Sequence, residues 1–174
     1  MIFKLFNNTY SISFNFYWPK RKDIILDRAH KFLYKHELKG NRNLMYAIVR
    51  QMSNKDFVIF SNPKDEQEFI QCTVNDTGIM LDYPYSVVDK RSKLLHRLDY
   101  VILKNDLRKK QSIFGNNYLY EMVKHDYGSS IQVNCRQNAD LAAKIMHEIL
   151  TEVYKLDPEF EMEISIDTWK KFWL

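Results

Sequence analysis

Apolar and polar residues alternate with a period of two at three places in this chain, and elsewhere the apolar spacing lengthens to that of helices. After Asn7-Asn8, a pair suited to a tight turn, Ile12, Phe14, Phe16 and Trp18 alternate with Ser11, Ser13, Asn15 and Tyr17. Residues 2–18 therefore predict a hairpin whose aromatic row packs into a core. Leu44–Met52, Phe57–Ser61, Glu68–Asn75 and Ile79–Tyr83 read as successive strands, with turns at SNKD and NDTG and a loop opening at Asn62-Pro63. Ile131–Cys135 reads as a further strand. Near the end, Phe160, Met162, Ile164 and Ile166 alternate with Glu161, Glu163, Ser165 and Asp167, so one face of that strand is apolar and the other acidic.

Helical spacing governs the rest. Pro19 introduces a helix in which Ile24, Ile25, Ala29, Phe32 and Leu33 share a stripe, with a C-terminal cap expected near Gly40-Asn41. Leu94, Leu95, Leu98, Val101 and Ile102 predict a second helix. Residues 107–118 read as a polar, basic connection, and Leu119, Met122 and Val123 as a short helix. Asn138 is an expected N-cap, followed by Leu141, Ala142, Ile145, Met146, Ile149, Leu150 and Val153 on one face of the most regular amphipathic helix. Short connections between the strands imply an antiparallel meander. The expectation is a single α+β domain over 1–174, a mainly antiparallel sheet packed by two or three helices. The hairpin 1–18 and the strand and tail 157–174 are additions to that core.

Composition narrows the function. The chain has 174 residues, 45% hydrophobic and 28% charged, the balance of a soluble globular protein with a real core. No apolar run approaches the ~20 residues a membrane-spanning helix needs. The start, MIFKLFNNTYSISF, lacks a basic head and a small-residue cleavage site, so no signal peptide is expected and the cytoplasm is the default. The abundance of Lys, Asn, Ile and Tyr suits a low-GC bacterial, phage or mobile-element origin. Cys72 and Cys135 lack metal-ligand spacing and read as buried free thiols. Four glycines without a GxG exclude the common nucleotide-binding loops, so no cofactor is expected.

Candidate chemistry is sparse. Gln71 cannot transfer protons at useful pH, and Asp82 lacks a neighbouring acid or base in the local sequence, so both read as ordinary sheet residues. Neither Ser129 nor Ser130 sits in a nucleophile motif. Glu161, Glu163 and Asp167, with Lys170 and Lys171 nearby, are the carboxylate and lysine types of a metal-dependent nuclease, but no nuclease motif frames them. No catalytic residue or metal ligand is therefore assigned. The strongest surface signal is charge. Residues 20–50 hold nine basic residues (Lys20, Arg21, Lys22, Arg28, Lys31, Lys35, Lys39, Arg42 and Arg50) against Asp23, Asp27 and Glu37. A solvated helix face is the bland account, and a phosphate-binding or acidic-partner surface is the functional one.

The segment FVIFSNPKDEQEFIQCTVNDTGIMLDYP resembles the central meander of small bacterial domains with the type III secretion chaperone-like fold, including YbjN-type proteins. NADLAAKIMHEILTEVYKL resembles the long helix that closes that fold. The resemblance implies a non-enzymatic protein that binds another protein, chaperone-like or immunity-like, and it carries over no catalytic residues. The N-terminal hairpin and the acidic terminal strand depart from the family pattern. On this reading Trp18, Arg21, Arg28, Lys31 and Lys35 are the partner-binding candidates. Nucleic-acid binding through the basic helix 20–42 is the alternative reading, and a metal-dependent nuclease the third. Terminal strand edges leave homodimerisation open.

Overall fold

The computed structural model describes residues 3–5, 8–10, 20–84, 97, 100–101, 103–105, 108–109, 119–125 and 128–168. They form an α+β domain in which helices cover one face of a seven-stranded sheet. A separate two-stranded hairpin pairs β1 (Phe3–Leu5) with β2 (Asn8–Tyr10); Asn8, expected in the turn, is the first residue of β2, opposite Leu5, and Asn7 lies outside the described residues. The alternating aromatic segment 11–18, Trp18 included, lies outside the described residues.

Three strands make the meander: β3 (Asp56–Asn62), β4 (Asp65–Asn75) and β5 (Gly78–Pro84). A two-residue strand β6 (Arg108–Lys109) lies parallel to β7 (Leu119–His125), and β7 pairs antiparallel with β8 (Gly128–Asn134). The last strand, β9 (Glu163–Thr168), returns to pair with β3. The order is β6-β7-β8-β5-β4-β3-β9, antiparallel except at β6–β7. The acidic terminal strand therefore extends the main sheet, and its partner among the described strands is β3.

Two expected elements differ. Residues 44–52 form no strand: they belong to the helix α2 (Asn41–Gln51). The run Leu44-Met45-Tyr46-Ala47-Ile48-Val49 has no period that separates a buried helix from a buried strand. Its neighbours decide it: α2 lies between α1 (Arg21–Lys35) and α3 (Ala139–Glu148), so Met45, Ala47, Ile48 and Val49 are buried on three sides of a helix. The second difference is the short helix expected at 119–123, which is strand β7. Three apolar positions in seven fit either period, and continuous pairing with β8 favours the extended chain.

The caps explain the helix boundaries. α1 starts after Pro19, with the Lys20 N–H donating to Asp23 Oδ2 at 3.0 Å. It ends at Lys35, with Glu37 in the left-handed region (φ 53°) and Leu38 N–H returning to the Leu33 carbonyl at 3.0 Å. Gly40 is thus not the end of α1. It caps the start of α2 at φ 87°, a conformation costly for residues with a Cβ. Asn138 caps α3 as expected, its Oδ1 accepting from Leu141 N–H at 3.0 Å. A π-helical turn, Ile149–Val153, continues α3 and keeps Ile149, Leu150 and Val153 in the core. Residues 97, 100, 101, 103 and 104 are helical, in keeping with the helix expected there.

The core joins the covered sheet face to the helices. Val58, Phe60, Ile70, Cys72, Ile79, Leu81, Tyr83, Ile131, Val133 and Ile166 point towards Ile25, Ala29, Ile48, Ile145 and Met146. Both cysteines are free and buried. Burial pushes their thiols well above the ordinary range, that of Cys135 to about 12. Among the described residues no helix is long and apolar enough to cross a membrane.

Candidate protein-binding surface

Residues seven apart on a helix return to nearly the same face, so Arg21, Arg28 and Lys35 of α1 form one stripe with Lys31 beside it. The structure gives these side chains different tasks. Arg21 is tied into the fold. Its Nε and Nη2 donate to both oxygens of Asp56, the shortest contact being 2.6 Å, and Nη2 also donates to Ser53 Oγ at 2.8 Å. Asp56 is 1% exposed and takes a further bond from the Ser53 N–H at 2.7 Å. The hydrogen bonds it donates to Asp56 raise the Arg21 pKa further above its already high value. Arg21 therefore fastens the start of α1 to the start of β3, and only part of its charge faces outward. Lys31 is exposed and pairs with Asp27 at 2.8 Å one turn away, while Arg28 and Lys35 are exposed.

Beside this stripe lies a groove. On α2, the guanidinium of Arg50 sits 4.9 Å from the Phe32 ring centre and 5.9 Å from that of Tyr46, and Nη1 donates to the Tyr46 hydroxyl at 2.9 Å. Phe32 and Tyr46 meet edge to face at 5.8 Å across the α1–α2 seam. The aromatic pair thus holds Arg50 in place with its charge at the surface. A cleft of about 560 Å³ opens there, lined by Tyr46, Arg50, Arg136, Asn138 and Asp140. A second cleft of about 360 Å³, floored by Val49, Met52, Val74 and Ile79, shares Arg50, Gln137 and Ala139 with the first. Together they form one groove with an apolar end and an arginine-lined end. Asp140 at the rim is already paired with Arg42 at 2.9 Å.

Arg136 reaches the groove from a strained turn. Its own φ is 52°, and its N–H donates to Asn134 Oδ1 at 2.7 Å. The turn packs on Gly78, at φ 123°, where a Cβ would run into the Arg136 carbonyl, and that carbonyl accepts from Ile79 N–H. Arg50 stood among the basic residues of 20–50, but its segment reads as a strand. Arg136 carries no local signal, because its partners across the groove lie on α2.

The opposite sheet face carries the polar residues of the opening meander. Gln71 lies directly opposite Asp82, and Asp82 opposite Gln132, forming a row across β4, β5 and β8 flanked by half-buried Ile59, Phe69 and Met80. Asp82 Oδ1 is enclosed, with no hydrogen-bond partner among the described residues. Its neighbours in the row are the amides of Gln71 and Gln132, beyond which the register reaches Glu121 on β7. Glu163 and Asp167 project from the same side of β9 but are four residues apart, about 13 Å along an extended strand. Glu161 precedes the strand. These three carboxylates are not gathered into a site, and among the described residues no group of three or more His, Cys, Asp or Glu is placed to hold a metal ion. The chain matches no protein-family model, no curated protein and no solved structure.

Proposed function

We propose that this is a non-enzymatic, cytoplasmic protein-binding domain that receives an acidic segment of another protein in the groove between α2 and the start of α3. One observation carries the reading: Arg50 is held over Phe32 and Tyr46 at the centre of a groove that also holds Arg136 and ends in an apolar floor. Aromatic and arginine anchors dominate protein interfaces, and a guanidinium fixed beforehand loses little side-chain entropy on binding. Exposed Arg28, Lys31 and Lys35 extend the positive field along α1 and would accelerate encounter with an acidic partner. A chaperone-like or immunity-like role is the finer form of the proposal. It draws support from the resemblance of the meander and closing helix to type III secretion chaperone-like and YbjN-type domains.

The test is capture from native lysate with tagged protein, with and without nuclease, comparing the wild type with Arg50→Glu/Arg136→Glu. A stoichiometric protein that survives nuclease and is lost with the double variant supports the groove. A partner retained undiminished by the double variant would refute it. The exposed Arg28 and Lys35, with Lys31 beside them paired to Asp27, favour a second reading, nucleic-acid binding. That reading requires retardation of DNA or RNA with an affinity that falls steeply as salt rises.

A further inference from the structure

Arg50 is the side chain at which the two halves of the α2–α3 groove meet, since it lines both the arginine cleft and the apolar one. Among the described residues neither Arg50 nor Arg136 has a carboxylate partner, whereas Arg21, Lys31, Arg42 and Lys104 are each paired with Asp or Glu. Arg50 commits Nη1 to the Tyr46 hydroxyl, and its Nε and Nη2, one edge of the guanidinium fork, carry no hydrogen bond among the described residues. Both walls are fixed. The Phe32 and Tyr46 rings hold Arg50. The Arg136 backbone is tied to the start of β5: its carbonyl accepts from Ile79 N–H, and the Cys135 N–H donates to the Ile79 carbonyl at 2.9 Å. At the apolar end Val49 and Ile79 are buried, and half-buried Met52 and Val74 leave apolar surface along the cleft.

We propose that the groove captures the carboxyl terminus of a partner protein, with the α-carboxylate at Arg50 and Arg136 and an apolar last side chain seated over Met52 and Val74. This inference rests on the protein-binding reading and names the acidic group that the groove takes. A guanidinium edge offers two parallel N–H donors to a carboxylate, which makes such pairs strong and directional. The unpaired cation and the apolar floor lie within one side chain of each other, so the ligand must present anionic and apolar groups together. A terminal residue carries both on one Cα. In an extended internal segment, an acidic side chain and the apolar one next to it point to opposite faces. A chain end is also a recurring signal in peptide recognition. Asp140, the carboxylate at the rim, is paired with Arg42 at 2.9 Å, which offsets its repulsion of an incoming anion. Because both walls are held in the free protein, little side-chain order is lost on binding.

The experiment titrates the full chain into short glycine–serine peptides labelled with fluorescein at the amino end, with anisotropy as the readout. The peptides end in leucine as the free acid, leucine amide, glycine as the free acid, or leucine amide preceded by glutamate. The leucine acid should bind roughly tenfold tighter or more than each of the other three. Arg50→Gln should bring the leucine acid down to the level of its amide. Arg28→Gln, on the exposed face of α1, should leave the affinity within about twofold. Equal binding of the leucine acid and its amide, or binding of neither, overturns the proposal, as does equal binding of the glycine acid or of the glutamate-containing amide. So does a folded Arg50→Gln that keeps the preference, or an equal loss in Arg28→Gln, which would reduce the effect to net charge. If acid and amide bind alike while lysate capture is lost in Arg50→Glu/Arg136→Glu, this inference falls and the groove reading stands. Capture undiminished in that double variant rejects the groove reading and this inference together.

Discussion

Arg21 and Arg50 lie on adjacent helices and each bridges to a neighbouring element, but the two guanidiniums work in different surroundings. Arg21 meets an almost fully buried carboxylate in a fork geometry, and that carboxylate also holds a backbone N–H. Its charge is matched inside the fold. Arg50 meets two aromatic faces and a hydroxyl, groups that position a cation without neutralising it. Matching a charge makes a clamp, whereas positioning it unmatched leaves it available to a ligand. This difference moves the proposed binding surface away from Arg21 and towards Arg50 and Arg136.

The largest expected effect comes from breaking the clamp. Asp56→Ala strands a partly buried guanidinium and frees the Ser53 N–H. It should cost about 3 kcal/mol, below the top of the range for buried pairs because a third of the Arg21 side chain reaches water (33%). Urea unfolding with an unchanged m-value measures this, and a loss under about 1 kcal/mol would show that the clamp is not structural.

Alkaline pH separates the guanidinium clamp from the other buried groups. In the folded chain the thiols of Cys72 and Cys135 ionise far above the ordinary range. Unfolded, they ionise near ~8.5, so above roughly pH 9 the unfolded state sheds protons that the folded state keeps. Stability should then fall with rising pH, by about 1.4 kcal/mol per unit for each thiol. Lys104, raised by hydrogen bonds to Glu152 and Glu148, adds to the loss: its contribution is complete below ~10.4 and disappears as pH climbs through its higher folded value. Arg21 adds no slope in this window. Urea midpoints at pH 7, 9 and 10 should decline, and Cys72→Ala/Cys135→Ala should flatten the first part of the decline.

The smallest effect on stability belongs to Arg50→Ala, about 0.5–1 kcal/mol for an exposed cation–π contact. Its effect on partner affinity should be much larger, at least tenfold, as for an interface anchor. A variant that loses stability and affinity in equal measure would place Arg50 with Arg21 as a structural residue and remove the contrast.

Much of the architecture was legible along the chain. The alternation in 57–83 and 160–166, the turn residues between strands and the Asn138 cap are local signals, each read within a few residues of where it acts. They predict the meander, the closing helix and the outlying acidic strand. Residues 44–49 and 119–123 were not legible, because an apolar run fits a helix or a strand until its neighbours are known. The proposed binding surface was half legible: nine basic residues marked the region, but their number does not say which charges are matched.

The sequence by itself determined the α+β class, the core positions and the sign of the two surfaces, because periodicity and charge are properties of short segments. Only the tertiary structure decided that Arg21 meets Asp56, that Arg50 and Arg136 share a groove, and that Glu163 lines a cleft with Ile59 and Phe69. Each of these joins residues 35 to 104 positions apart. Contacts at that range follow from how helices and strands pack, and no local pattern encodes them.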